Sequence, residues 1–169
     1  ATPQDARALA ALAERTFRDT FGADNTAEDM DLHCRTAYGE AIQAAELADP
    51  DRLTFLCEAD GGIVGFAQVR WGPAPACVTG PRPGEIQRLY VDRPWHGRGV
   101  AQVLMAASLE ALEARGCGVA WLGVWERNPR ALAFYRKAGF AEVGDHVFPL
   151  GHDPQRDLIL ARPLGDPPP

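Results

Sequence analysis

The sequence of 169 residues lacks both a metal-binding motif and a membrane-spanning segment. Its four cysteines are scattered without a CxxC pair, and its four histidines add no metal-ligand spacing. We therefore expect no metal site, and free thiols in a reducing cytosol account for the cysteines most simply. No apolar run approaches the roughly 20 residues that cross a bilayer, and no signal peptide is visible. These absences predict a cytoplasmic protein without a membrane partner.

An excess of positive charge, which a nucleic-acid-binding surface requires, is also missing. The net charge is −6, so we expect no nucleic-acid partner, and an acidic surface mildly favours cationic ligands. The hydrophobic content of 46% is enough for one domain with a real core. We predict that this domain covers residues 1–165 and that residues 166–169 form a disordered tail.

The first part of the chain has the periodicity of helices. Apolar residues recur at helical spacing over Asp5–Thr20, which predicts a helix with one face packed on a sheet. Thr26 begins a second helix, with Asp29 three residues later as its capping partner. A third, shorter helix is predicted over Gly39–Ala48, and the dipeptide Asp49-Pro50 ends it.

From Leu53 onward, strand patterns dominate and helices alternate with them. The turn Asp60-Gly61-Gly62 predicts a hairpin whose return strand is Ile63–Trp71. The segment Val119–Val124 is nearly all apolar, which predicts a buried strand parallel to the strand before it. Asn128-Pro129 is typical of a helix start. The last predicted elements are the strands Phe140–Phe148 and Asp157–Arg162 and the polar turn Gly151–Arg156 between them.

One stretch, Gly84–Leu104 (GEIQRLYVDRPWHGRGVAQVL), combines a strand, a glycine-bearing turn and a helix. Such a turn exposes unpaired backbone N–H groups at the positive end of the helix dipole, where a phosphate binds without a lysine. An ordinary strand-to-helix turn is the alternative. The dinucleotide-binding fingerprint does not fit, because a third glycine should follow. A nicotinamide-dependent oxidoreductase is therefore disfavoured.

Three stretches in order carry a family resemblance: the strand Ile86–Val91, the turn HGRGVA, and Asn128 followed by FYRKAGF. Together they resemble the GNAT superfamily of N-acetyltransferases. The phosphate-loop pattern of that family, Gln/Arg-x-x-Gly-x-Gly/Ala, maps to His96, Gly99 and Ala101, and His96 departs from the usual Gln or Arg. The segments WLGVWERN and HVF are similar to the PaiA-like branch, which is associated with spermidine and spermine acetylation.

The resemblance implies an α/β fold with a central mixed, mostly antiparallel sheet, splayed at its central strand, and helices on both faces. The first strand of the family normally precedes the position of Asp5. Because this chain begins too late to hold that whole strand, we expect the intact strand to be missing. The fold is also expected to bind acetyl-CoA, with the pyrophosphate on amides of Gly97–Gln102 and the pantetheine along the central strand edge. The central strand of this family carries a bulge, which would expose a backbone N–H near Leu89 or Tyr90 for the oxyanion. The expected donor-binding residues are Leu89, Tyr90, Val91, His96, Gly97, Arg98, Gly99, Val100, Ala101, Gln102, Asn128, Ala131, Phe134, Tyr135 and Lys137.

Tyr135 holds the family position of a general acid for the leaving thiolate. Alternatively, the Tyr135 ring only packs against the helix beside Phe134. Asn128 can likewise act only as a helix cap, without binding the donor. Glu85 and Glu126 are the candidates for the base that deprotonates the amine, or for attracting a cationic acceptor. Both can also be solvated charges at strand ends.

The acceptor site is expected to be walled by aromatic rings and by Glu126, a combination that suits a polyamine. Such rings can equally be core or rim. We expect direct transfer of acetyl to a small cationic primary amine in a ternary complex, without metal, by a possible homodimer. The alternatives are a protein N-terminal or lysine acetyltransferase and a non-catalytic CoA-binding module. The expected rings are Phe21, Tyr38, Trp125 and Phe148.

Overall fold

The computed structural model describes residues 1–165, and the predicted tail at 166–169 lies outside the described residues. Its helices are α1 (Ala6–Phe21), α2 (Ala27–Ala37), α3 (Glu40–Ala48), α4 (Val100–Ala114) and α5 (Pro129–Lys137). Its strands are β1 (Arg52–Ala59), β2 (Gly62–Trp71), β3 (Pro83–Val91), β4 (Val119–Trp125), β5 (Ala141–Leu150) and β6 (Asp153–Pro163).

The six strands form one sheet in the order β1-β2-β3-β4-β6-β5. Every neighbouring pair is antiparallel except β3 and β4, which run parallel as predicted. Within residues 1–165 no strand precedes α1. In the same range, no helix combines the length and apolar character needed to cross a bilayer.

The sheet splays open between β3 and β4. Their pairing covers only Pro83–Glu85 against Val119–Trp121. Beyond these residues β3 stays paired with β2, and β4 stays paired with β6. A gap therefore opens between the carboxyl-terminal halves of the two central strands, where a parallel α/β sheet usually places its ligand. The predicted mixed, splayed sheet is confirmed.

Helices cover both faces of this sheet, because alternate strand residues are apolar on both sides. On one face, Leu9 and Leu12 of α1 pack with Met30 of α2, Phe66 of β2 and Leu150 of β5. On the other face, α4 and α5 bury a second cluster with the sheet. Its central members are Val69, Ile86, Met105, Leu112, Leu122, Leu132 and Leu160.

Side-chain caps form at the predicted helix starts. The Thr26 hydroxyl accepts a hydrogen bond from the Asp29 N–H at 3.2 Å, and the Asn128 side chain accepts one from the Ala131 N–H at 3.1 Å. Each bond satisfies one of the backbone donors that a helix leaves unpaired at its first turn. The two caps fix the entries of α2 and α5, which both reach the gap in the sheet.

The turn predicted at Gly151–Arg156 is wrong in length. Strand pairing continues to Leu150 opposite Asp153, so only Gly151-His152 remain as the turn. Gly151 has φ 60°, and the His152 N–H donates to Asp29 Oδ1 at 2.7 Å. The polar first half of β6 resembles a loop in sequence because this end of the hairpin is largely exposed.

The expected bulge is present in β3, two residues before Leu89. Gln68 pairs with Arg88 and Val69 pairs with Ile86, so Gln87 is the extra residue. A bulge lets two consecutive side chains point to one face of the sheet. Gln87 accepts a hydrogen bond from Arg52 at 2.7 Å, while Ile86 remains in the core of the other face. The bulge therefore serves a polar network behind the gap.

Candidate active site

A cavity of about 440 Å³ occupies the gap between β3 and β4. We divide it into two halves, which meet along Ile86–Val91 of β3. The turn half is lined by the segment before and at the start of α4 and by α5, and the aromatic half by α1, α2 and the ends of β4, β5 and β6. The turn half comprises Trp95, His96, Gly97, Gly99–Gln102, Asn128, Arg130, Ala131, Phe134 and Tyr135. The aromatic half comprises Phe17, Thr20, Phe21, His33, Ala37, Tyr38, Trp125, Phe148, Leu150, Gln155 and Asp157.

Backbone geometry makes the turn half suitable for an anion. Gly97 and Gly99 have φ of 75° and 84°, values that a residue with a side chain rarely adopts. A Cβ at either position would meet nothing within 4 Å, so both glycines border open space that a side chain would fill. The first bond within α4 runs from the Val103 N–H to the Gly99 carbonyl at 3.1 Å. The N–H groups of residues 100–102 therefore have no partner in the helix and point to this space.

His96 joins the end of β3 to the start of α5. Its Nε2 lies 2.8 Å from the carbonyl oxygen of Val91, and its Nδ1 lies 2.7 Å from Nη1 of Arg130. A guanidinium only donates hydrogen bonds, so Nδ1 accepts one, and the protonated Nε2 donates one to the Val91 carbonyl. The predicted His96 thus lines the cavity through its side-chain contacts. It also positions Arg130, which lines the cavity.

Two predicted donor-binding side chains are not brought into the cavity. The Arg98 guanidinium lies over the Trp95 ring, 5.1 Å from its centroid. Lys137 is exposed in the last turn of α5. Long basic side chains of this kind commonly remain in solvent, and neither residue belongs to the cavity lining.

The edge of β3 presents unpaired backbone groups to the gap. The Asp92 N–H donates to the Val64 carbonyl at 2.8 Å, so alternate residues back along β3 bond to β2. Leu89 and Val91 lie between those residues and turn their N–H and C=O groups toward the gap. His96 binds the Val91 carbonyl, which leaves the Val91 N–H and both Leu89 groups facing the cavity. The free N–H expected near Leu89 or Tyr90 is compatible with this alternation.

Tyr135 both packs and lines the cavity. Its ring contacts those of Phe134 and Phe140, with centroids 5.4 and 6.1 Å away. Burial, and then the nearby Tyr90, raise the pKa of the Tyr135 phenol far above its ordinary value. The phenol therefore stays protonated at neutral pH, as a proton donor must.

Neither predicted base lines the cavity. Glu85 lies at the start of β3, where β3 and β4 are still paired, and forms an ion pair with Arg70. It faces a separate pocket of about 380 Å³ that also includes Trp71. Glu126 is exposed and binds Arg156 at 2.9 Å. The gap opens only beyond Glu85, so this part of the strand cannot serve it.

The four predicted aromatic rings do line one part of the cavity, although the chain separates them widely. The Phe21 and Trp125 centroids are 5.8 Å apart, and Phe17 lies 4.6 Å from Phe21. Phe17 also stacks on His33 at 4.4 Å, and His33 lies 5.5 Å from Phe148. The rings thus form a continuous wall. Phe17 was missed as a site residue because its helical spacing marks it equally well as core.

A buried polar group lies behind the aromatic wall. Arg88 binds Glu46, with Nη2 3.2 Å from Oε1, and donates to Gln68 Oε1 at 3.0 Å. Its charge is therefore compensated. Burial raises the pKa of Tyr38 to about 12, and burial also raises the pKa of Tyr90 well above its ordinary value. Both phenols stay neutral at physiological pH.

Sequence reasoning missed the one carboxylate in the lining that the structure describes, Asp157. It begins the apolar part of β6, with 15% of its side chain exposed, and its Oδ2 lies 3.9 Å from His146 Nε2. Burial raises the pKa of Asp157 to about 6. Gly123 makes room for this pair, because a Cβ there would lie 3.1 Å from His146 Nε2 and 3.5 Å from Asp157 Oδ2. No sequence pattern distinguishes Asp157 from a solvated strand end.

Comparisons with known proteins agree with this geometry. The model of the acetyltransferase (GNAT) family matches residues 8–140. An uncharacterised N-acetyltransferase of Lactobacillus delbrueckii subsp. lactis is 33% identical over 154 residues, which cover 91% of this chain and 89% of the relative. An aminoglycoside N(6')-acetyltransferase type 1 of Stenotrophomonas maltophilia is 33% identical over 150 residues, 88% of each chain.

The fold is also found among solved structures. The crystal structure of PaiA N-acetyltransferase from Thermoplasma acidophilum, in complex with coenzyme A, matches with a TM-score of 0.74. The match covers 96% of this chain and 95% of that one, at 18% sequence identity. At this identity the likeness supports the fold alone.

Proposed function

Because this chain belongs to the GNAT family of acetyltransferases, we propose that it transfers acetyl from acetyl-CoA to a primary amine of a small, cationic, polyamine-like acceptor. The transfer occurs by direct attack in a ternary complex. The observation that carries the acceptor class is the aromatic wall with a single carboxylate, Asp157, beside it.

Acetyl-CoA fits the turn half. The N–H groups of residues 100–102 and the open space beside Gly97 and Gly99 suit a pyrophosphate, and Arg130 adds a positive charge. The free edge of β3 offers the Leu89 carbonyl and the Val91 N–H to the amide groups of a pantetheine arm, which would pair with it as a short strand does. A protein of the same fold was solved in complex with coenzyme A, which supports CoA as the donor.

The thioester is then placed where the two halves meet. The amine nitrogen attacks the carbonyl carbon from the aromatic half, and the Leu89 N–H stabilises the oxyanion that develops. The C–S bond breaks as Tyr135 gives its proton to the sulfur. Because its pKa is raised, the Tyr135 phenol is protonated at neutral pH and carries the proton that the sulfur receives as the C–S bond breaks.

The aromatic half favours a cationic acceptor over a neutral or anionic one. Ring faces attract an ammonium group, and the effect grows when water is excluded. The repulsion from Arg88 is reduced, because Arg88 is paired with Glu46. The relative from Stenotrophomonas is named for aminoglycosides, which are also small polycationic amines. The similarity of WLGVWERN and HVF to the PaiA-like branch favours a polyamine.

A screen for CoA release tests this proposal, using acetyl-CoA with spermidine, spermine, aminoglycosides, amino acids and peptides. We expect turnover of spermidine or spermine, with weaker turnover of amino acids. No turnover of either polyamine would contradict the polyamine part. Turnover of peptides alone would favour a protein acetyltransferase, and acetyl-CoA binding without any turnover would favour a CoA-binding module.

A further inference from the structure

We propose that Asp157 is the general base of the reaction, taking a proton from the acceptor ammonium before the nitrogen attacks the thioester. This inference rests on the proposed function. It assigns the base to β6, in place of the two glutamates that the sequence suggested.

The position of Asp157 suits this role. It pairs across the sheet with Trp125 at the end of β4 and with His146 on β5. Trp125 belongs to the aromatic wall, so the carboxylate lies where that wall reaches the gap. On the opposite side, the phenol of Tyr90 is close enough for the charge of Asp157 to raise its pKa. An ammonium held by the wall therefore meets this carboxylate at the thioester.

His33 is the other group in the aromatic half that could accept a proton. Its ring stacks on Phe17, and burial together with the nearby Arg88 lowers its pKa. Both effects disfavour the imidazolium that proton transfer would create. The basic side chain beside Asp157 is His146, whose Nε2 lies 3.9 Å away and which does not line the cavity.

The surroundings of Asp157 tune its basicity. Burial raises its pKa to about 6, and His146 lowers it by a smaller amount. From β5, His146 acts on it, and Asp157 in turn acts on Tyr90 of β3. Three further charged residues nearby pair with one another: Glu126, Asp145 and Arg156. Asp157 is thus ionised at neutral pH and is a stronger base than an exposed aspartate.

The proton balance closes with two groups. Asp157 takes one proton from the ammonium, and the free amine forms the C–N bond. As the C–S bond breaks, Tyr135 protonates the sulfur and becomes a phenolate. The nitrogen loses a second proton, which restores the Tyr135 phenol, and Asp157 releases the first proton to water. The products are the N-acetylated amine, CoA with a free thiol, and one proton.

The test compares Asp157→Asn with Asp145→Asn, a matched loss of a carboxylate on the same hairpin outside the cavity. With spermidine near neutral pH, we expect Asp157→Asn to lower kcat by at least about 100-fold. Asp145→Asn should stay near the wild-type rate. The wild-type kcat/KM should rise with pH around about 6, and this rise should be absent in Asp157→Asn.

A weakly basic amine distinguishes a role of Asp157 as general base from a role in binding the acceptor. Trifluoroethylamine is largely neutral near pH 7 and needs no deprotonation, so the two variants should differ by less than about 5-fold with it. A normal kcat of Asp157→Asn with spermidine, or a raised KM alone, would overturn the role of base while leaving the acetyltransferase intact. No turnover of any amine by the wild type would overturn the proposed function and this inference with it.

Discussion

The two halves of the cavity differ in how the chain builds them. The turn half depends on one short stretch, Trp95–Gln102, and on the first turns of α5, and its chemistry comes mainly from backbone groups. The aromatic half collects side chains from α1, α2 and three strands. The first kind of site is set by local geometry, which a motif reports. The second kind is set by the tertiary fold, and it is also where one family member can differ from another in acceptor.

Tyr135 lies where the halves meet, and its replacement should have the largest effect. We expect Tyr135→Phe to lower kcat by about 10²–10³-fold, because the leaving thiolate loses its proton donor. The affinity for acetyl-CoA, measured by calorimetry, should change little, since the ring and its contacts with Phe134 and Phe140 remain. Unchanged turnover across amine acceptors would show that Tyr135 only packs the helix.

Gly99→Val should impair the turn half of the cavity. Valine is strained at φ 84° and fills the space beside the α4 amides, so acetyl-CoA should bind about 100-fold more weakly. Gly61→Val is the matched control, because Gly61 has φ 77° and equally open surroundings in the β1–β2 hairpin. Equal losses of acetyl-CoA affinity in both variants would mean that strain, and not the phosphate site, is responsible.

Phe21→Leu should impair the aromatic half alone. Leucine keeps apolar bulk but removes a π face, so KM for spermidine should rise about 5–10-fold. The acetyl-CoA affinity should not change. Phe55→Leu, which alters a phenylalanine of β1 outside the cavity lining, serves as control. A lower acetyl-CoA affinity in Phe21→Leu would show that the two halves are not independent.

The smallest effect concerns stability. Burial raises the Asp157 pKa from 3.8 to about 6, so the ionised form destabilises the fold as pH rises through this range. Asp157→Asn should therefore melt about 2–4 °C higher than wild type near pH 8, a shift that about 1 kcal/mol produces in a domain of this size.

Measurements at low pH, where the wild-type carboxyl is protonated, are the control for this comparison of Tm values. The difference in Tm between Asp157→Asn and wild type should shrink toward zero near pH 4. A difference that is constant between these pH values would contradict a buried, titrating carboxylate. Scanning calorimetry of both proteins across the range provides the measurement.

Features that depend on neighbouring residues could be predicted from the sequence, and features that depend on the tertiary fold could not. Helix caps at Thr26 and Asn128 and the positive-φ glycines of the turn were predictable, because each depends on residues within a few positions. The splayed sheet was expected only through the family resemblance. The exact position of the β3 bulge was not predictable from local sequence, because the partners of Gln87 and Arg88, which are Arg52 and Glu46, lie far away in the chain.

The predicted bases show the limit of local information most clearly. Glu85 lies near the start of β3 and Glu126 follows β4, and both strands border the gap. Outside the gap, however, Arg70 binds Glu85 and Arg156 binds Glu126. Asp157 looks no different in sequence. It becomes distinctive only because Gly123 leaves room for it and the β4–β6 pairing buries it beside Trp125.

Two-substrate kinetics with acetyl-CoA and spermidine test the account most directly, with the product identified by mass spectrometry. If both halves are filled before transfer, double-reciprocal plots should intersect and the product should be spermidine carrying one acetyl group. Parallel plots would indicate an acetylated enzyme instead of a ternary complex. Parallel plots, or the absence of acetylated spermidine, would contradict the account.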